Sequence, residues 1–244
     1  MIRGLLVDLD NTLVGIDVDA FIERYTAAVA ARVAPGQPDR GQAVIAGATY
    51  RMLTQRDTGR TNRDRLLEAL AAEVGDDAAD LWRRLEEAST AVLPTLRTLA
   101  HPLPGARETV LEARRRGLRV ALATNPIYPR AVIVERMRWA GLDEGDVDHV
   151  ASLEVSTDTK PHAAYFAGLA EALGLDLAQC LMVGDDPDQD IPDRATPLRV
   201  QILAPAPAAA AGAREGSVRY GPLERLWTIW ADALAVLEGA AAEG

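Results

Sequence analysis

The chain of 244 residues contains one lysine, Lys160, among 26 basic residues, and every other basic position is an arginine. It contains one cysteine, Cys180, which excludes an intrachain disulfide and suits a reducing compartment. The simplest role for Cys180 is that of a small buried apolar residue rather than a nucleophile. The three histidines, His101, His149 and His162, lack metal-ligand spacing. No run of 18 apolar residues is present to span a bilayer. The opening stretch MIRGLLVDLD ends in aspartates with no cleavage-site pattern behind it. A soluble cytoplasmic protein is the resulting expectation. Positive charge is also in deficit, with a net charge of −10 and a pI near 4.8. That balance argues against a nucleic-acid surface, which requires a clustered basic face.

What remains is ordinary globular material, 48% hydrophobic and 25% charged, enough for one generous core or a core with a smaller appended unit. Four short apolar runs are bounded by polar or turn residues: 2–10, 118–125, 180–186 and 198–203, with 149–155 a weaker fifth. Such runs suit strands buried on both faces of a parallel sheet. Helical patterns lie between them at 106–116, 129–140 and 162–173, each followed by a glycine, Gly117, Gly141 or Gly174, as a C-terminal stop. This alternation predicts an α/β fold with a doubly wound parallel sheet.

Residues 15–103 break the alternation. Helical patterns follow one another at roughly 17–34, 40–54, 62–74 and 76–91 with no convincing strand, and the chain returns through the proline-rich HPLPG at 101–105. The expected organisation is a core of residues 1–14 and 104–244 carrying an all-helical insertion over 15–103. An insertion after the first strand lies beside the carboxyl ends of the strands, where open α/β sheets bind ligands. The tail reads as a low-complexity linker at 204–216 and an amphipathic helix at 222–238. The apolar stripe of that helix, including Leu226, Trp227, Trp230 and Leu237, suits core packing or a homodimer contact.

Three of the apolar runs end in oxygen-rich groups. Asp8 and Asp10, two apart, leave a strand on the same side, and two neighbouring carboxylates need a cation, a shared proton or different pKa values to coexist. The second run ends in Thr124-Asn125 and the third in Gly184-Asp185-Asp186, with Asp190 close behind. Lys160 precedes Pro161, a residue suited to the first position of a helix, which would place the lysine at a helix start facing the same crevice. Its retention in an arginine-rich chain points to a need for a compact ammonium that a planar guanidinium would not replace; chance survival is the alternative.

With these motifs in this order, the sequence resembles the haloacid dehalogenase-like (HAD) superfamily of mainly magnesium-dependent phosphatases. DLDNT at 8–12 matches the DxDxT motif, Thr124-Asn125 the second motif, Lys160-Pro161 the third, and GDDPDQD at 184–190 the acidic fourth. The helical insertion corresponds to the family's C1 cap on a Rossmann-like core. One departure is IPDRATPLRV, which lacks the Ala/Gly-rich helix that often follows the fourth motif, so a short or broken helix is expected there.

The resemblance implies roles. Asp8 would be the nucleophile, and Asp10 the acid that protonates the leaving group and then the base that activates water. Mg²⁺ would be held by the Asp8 carboxylate, the Asp10 carbonyl and the Asp185 carboxylate, with Asp186 and Asp190 orienting those ligands. Thr124, the Asn125 N–H and Lys160 would hold phosphate oxygens and balance their charge. Asp10 argues for a phosphate ester over a halide, because a departing halide needs no proton. The implied substrate is a small phosphorylated metabolite. A phosphomutase on the same scaffold and a non-catalytic phosphate-binding protein remain as alternatives. The arginine-rich stretch 51–65 reads first as a solvated helix–turn–helix surface and second as an anion-recognition patch. Tyr128 and Arg130 either border the pocket or serve packing and surface.

Overall fold

The computed structural model describes residues 1–55, 59–204 and 217–234. Its centre is a six-stranded, all-parallel sheet formed by β1 (Gly4–Val7), β4 (Arg119–Leu122), β5 (His149–Val150), β6 (Cys180–Gly184), β7 (Arg199–Ile202) and β8 (Val218–Tyr220), in the spatial order β5-β4-β1-β6-β7-β8. Continuous apolar runs produce central strands with no exposed face: all four residues of β1 and all five of β6 are buried. Alternation then divides them between two layers. Leu5, Val7, Leu181 and Val183 pack with α5 (Ala106–Arg115) and α6 (Arg130–Trp139). Leu6, Met182, Val200 and Ile202 pack with Tyr165, Phe166 and Leu169 of α7 (Ala163–Ala172) on the other face. The chain builds outward from β1 through β4 to β5, then crosses to β6 on the other side of β1. This reversal places a crevice outside the carboxyl ends of β1, β4 and β6.

The helical insertion leaves the core through β2 (Val14–Ile16) and returns through β3 (Ala100–Pro102), which pair antiparallel. No strand is expected from sequence in this region; each is only three residues long, so cross-strand pairing rather than local pattern creates them. Gly15 faces His101 so closely that a Cβ would lie 2.4 Å from the imidazole. Between these strands run α1 (Val18–Val33), α2 (Pro38–Thr54), α3 (Asn62–Val74) and α4 (Ala78–Leu96). Asp17, Thr61 and Asp77 accept backbone N–H bonds at the starts of α1, α3 and α4, satisfying donors that the first turn leaves free. Helix α4 continues through Pro94, five residues beyond the expected end at 91. Phe21, Val29, Leu70, Leu81 and Leu85 of the insertion share one buried cluster with Leu5 and Val7.

The tail departs from expectation. The segment 222–234 forms three short turns, Leu223–Arg225, Leu226–Ile229 and Ala231–Leu234, in place of one helix. The break at Trp230 lets its indole enter the core, where it is fully buried and donates from Nε1 to Gln201 Oε1 at 3.0 Å. Leu226 and Leu234 pack inward with it. The rest of the expected helix, including Leu237, and residues 205–216 of the expected linker lie outside the described residues. Strand β8 was not legible in the sequence. Among the described residues, no helix is long and apolar enough to cross a membrane.

Candidate active site

Asp8 is the first residue beyond β1 and still belongs to the ladder, its N–H bonding Val183 O at 2.9 Å. The chain then turns at once: Leu13 and Val14 both donate to Leu9 O, at 2.8 and 3.0 Å. Asn11 adopts a left-handed φ of 55°, a conformation that asparagine tolerates better than most residues. Its Oδ1 accepts the Ile16 N–H at 3.1 Å, so the second half of DLDNT builds the passage into β2. Thr12, also buried, donates to Asp185 Oδ1 at 3.3 Å and ties the first motif to the fourth.

Lys160 is 3% exposed and lies 2.6 Å from Asp8 Oδ1 and 2.6 Å from Asp190 Oδ1. Pro161 does not begin α7, as the sequence suggested; the helix starts at Ala163, and Lys160 stands in the preceding loop. Asp190 uses its second oxygen to accept the Asp186 N–H at 3.0 Å, while the Asp186 carboxylate caps the four-residue α8 (Pro187–Asp190) by accepting from Asp188 N. No helix follows Asp190 before β7, in line with the two prolines there. Gly184 is required by this packing, because a Cβ would fall 1.9 Å from Asp190 Oδ2. Thr124 is buried beyond β4, and its carbonyl accepts the Tyr165 hydroxyl at 2.6 Å. Asn125 Nδ2 donates to Gln189 Oε1 at 3.3 Å, and Asn125 Oδ1 is buried without a partner.

These residues share a cleft of about 270 Å³, lined by Asp8, Asp10, Thr124, Asn125, Lys160, Asp185, Asp186 and Asp190 and walled by Val18 and Ile22 of α1 with Ile127 and Tyr128. Burial pushes the Asp8 carboxyl up to about 7; Lys160 opposes the rise, and Asp190 and Asp10 add to it. Burial also disfavours charge on Lys160, but Asp8 and Asp190 outweigh it and raise the ammonium above its usual range. Asp185 is raised by burial and by Asp190. Asp8, Asp185 and Asp190 bring carboxylate oxygens within 4.8 Å of one another. One ammonium cannot balance three carboxylates, and a hard, all-oxygen donor set fits a divalent cation.

Asp10 carries a contact that the sequence did not announce. Its carboxylate pairs with Arg136 of α6, which is 1% exposed, and no composition signal could single out that residue among so many arginines. Tyr128 both borders the cleft and packs, whereas Arg130 pairs with Glu144 and is not part of the cleft lining. Within the stretch 51–65, Arg60 pairs with Glu68, Arg63 with Asp64, and Arg65 bonds the Arg51 carbonyl. None of these lines the cleft, which favours the surface reading; residues 56–58 lie outside the described residues.

A family model described as haloacid dehalogenase-like hydrolase matches residues 2–192. The chain belongs to that family. Among curated relatives of this hydrolase, a Mycobacterium tuberculosis phosphatase is 29% identical over 171 residues, 69% of this chain and 66% of that protein. Hexitol phosphatase B of Escherichia coli K12 is 32% identical over 108 residues, 44% of this chain and 46% of the relative. The matches thus span less than two thirds of either relative's length. A solved 2-haloacid dehalogenase from Pseudomonas syringae pv. Tomato superposes with a TM-score of 0.59 at 21% identity, covering 96% of this chain and all of that one; the likeness is one of fold.

Proposed function

We propose that this hydrolase cleaves a small phosphate monoester through a phosphoryl intermediate on Asp8. The observation that carries the reading is the opening of Asp8, Asp10, Lys160 and Asp185 onto one cleft, with Lys160 bonded to Asp8. An Asp8 oxygen attacks phosphorus, the bond from phosphorus to the leaving oxygen breaks, and Asp10, in its acid form with the proton on Oδ2 while Oδ1 accepts from Arg136, gives that oxygen its proton. Asp10, now a carboxylate, takes a proton from water; the water oxygen attacks phosphorus, the bond to Asp8 breaks, and inorganic phosphate leaves. Lys160, Thr124 and the Asn125 N–H hold the phosphate oxygens through both steps. The Asp8 and Asp185 carboxylates and the Asp10 carbonyl would hold Mg²⁺, which would supply the positive charge that an anionic substrate needs beside Asp8. Asp190, bonded by Lys160 and the Asp186 N–H, orients the lysine.

The insertion, read as a cap over residues 15–103, contributes Val18 and Ile22 to the wall, and the latter is 43% exposed. These side chains suit the organic part of a small metabolite, and burying them on closure would exclude water. Phosphate release from a panel of phosphorylated metabolites, with and without Mg²⁺, tests the proposal. Wild-type chain should release phosphate only with the metal, and Asp8→Asn should release none. Transfer of the phosphoryl group to a second hydroxyl without release would make the protein a mutase, and no turnover on any ester would leave a binding protein.

A further inference from the structure

Arg136 is the only buried arginine among the described residues, and its setting is unusual for a structural ion pair. The guanidinium carbon stands 4.6 Å from the Phe21 ring centroid and 5.3 Å from that of Tyr128. Phe21 belongs to α1 of the insertion, and Tyr128 precedes α6 in the core. Tyr25, one turn beyond Phe21, stacks on it at 5.8 Å and meets Tyr128 edge-on at 5.1 Å. Its hydroxyl is 2.7 Å from Ser89 Oγ on α4, so the cage is fixed to the insertion at two helices. One guanidinium nitrogen, Nη2, bonds Asp10 Oδ1, while Nε and Nη1 are buried with no partner.

A buried charge with two unpaired donors is costly to keep, and replacing both members of such a pair by hydrophobic residues is often neutral or stabilising. The feature this arginine supplies, and an apolar side chain would not, is a fixed orientation for the Asp10 carboxylate, which also borders the cleft. We propose that Arg136 is a positioning residue that aims Asp10 at the leaving-group oxygen, and that the Phe21 ring, stacked on the guanidinium, registers this aim to the helical insertion. The inference rests on the phosphatase reading for its chemistry. It goes beyond it by assigning the alignment of the acid to a residue outside the motifs and by linking that alignment to the cap.

The test uses the full-length chain with Mg²⁺ and two substrates, an alkyl phosphate, whose leaving oxygen needs a proton, and p-nitrophenyl phosphate, whose leaving oxygen hardly does. In R136M, kcat/KM for the alkyl ester should fall by about 10²-fold, the scale of a lost general acid, and for the aryl ester by roughly a tenth of that factor. The melting temperature should fall, since R136M removes the counter-charge of Asp10; a purely structural loss would lower both esters alike, so the substrate ratio separates it from a misplaced acid. F21L should shift the same ratio in the same direction by a smaller factor, and it decides the matter if R136M does not fold. A crystal structure of either variant gives a readout independent of turnover: Asp10 should leave its wild-type orientation. Equal losses on both substrates, or Asp10 unmoved with its bonds to solvent only, would overturn the assignment. Wild-type chain inactive on both esters would refute the phosphatase reading, while the position of Asp10 in the variants would still decide whether Arg136 holds it.

Discussion

Two buried cations serve the two aspartates of the DLDNT motif, and they do so by different physics. Lys160 meets Asp8 and Asp190 at 2.6 Å each, a point charge between two carboxylates. Arg136 meets Asp10 alone and offers its flat faces to Phe21 and Tyr128, which an ammonium cannot match as a stacking surface. The pairing of cation type with neighbours suggests that shape, as much as charge, selected each residue. A compact charge is required where oxygens converge, and a planar one where rings do.

Exchange at Lys160 is the strongest way to break this contrast. Lys160→Met would leave Asp8 and Asp190 buried with no counter-charge, costing about 3 kcal/mol in metal-free chain by urea denaturation. Added Mg²⁺ should recover part of that loss, while phosphate release stays at background. Lys160→Arg keeps the charge and tests shape directly: activity should fall by about 10²-fold, because the broader fork cannot sit between both carboxylates without displacing one. Near-normal turnover by the arginine variant would show that charge alone is needed there.

The same contrast explains what was legible. Lys160 stood out because every other basic position is an arginine, and Asp8, Thr124 and Asp185 stood out because, in that order, each follows an apolar run of the kind that suits a buried strand. All of them line the cleft or touch a residue that does. Arg136 had no such signal: on α6 it occupies one more position in an arginine-rich helix, and its burial depends on Phe21, far away in sequence and on the insertion. Strands β2, β3 and β8 escaped for a related reason, since short segments become strands only when tertiary partners supply the pairing. Over 222–234, the described part of the helix expected at 222–238, the chain breaks into short turns, and Trp230 at one of the breaks is buried in the core. Periodicity describes a helix well until one side chain has a better destination.

Gly184 sharpens the comparison from the acidic side, since Lys160 has the second carboxylate that Arg136 lacks. A methyl at Gly184 would overlap Asp190, itself 1% exposed and bonded on both oxygens, so it cannot simply swing away. Gly184→Ala should cost about 1–3 kcal/mol in stability, the range for overpacking a filled site. It should also lower kcat by about tenfold, because Lys160 would keep Asp8 but lose the partner that orients it. An unchanged melting temperature would mean that β6 and α8 separate more easily than their packing implies.

A carboxylate outside the cleft sets the scale for ordinary pairing. Asp148 accepts the Val120 N–H at 2.8 Å and pairs with Arg114 and, at 3.2 Å, with Arg119. Partial burial works to raise its carboxyl, but the Val120 bond and the two arginines outweigh it and hold the group below the usual carboxylate range. A depressed folded pKa means that its stabilisation is present above the unfolded value and is lost as pH falls through the folded one. Asp148→Asn retains an acceptor for Val120 but removes the charge, so it should cost about 1 kcal/mol near pH 7. The difference from wild type should shrink as pH falls below the usual carboxylate range, where the native carboxylate is itself being protonated. Turnover should be unaffected at every pH where both chains are folded. A stability gap independent of pH would place the contribution of Asp148 in packing, and a change in turnover would tie this edge of the sheet to the cleft.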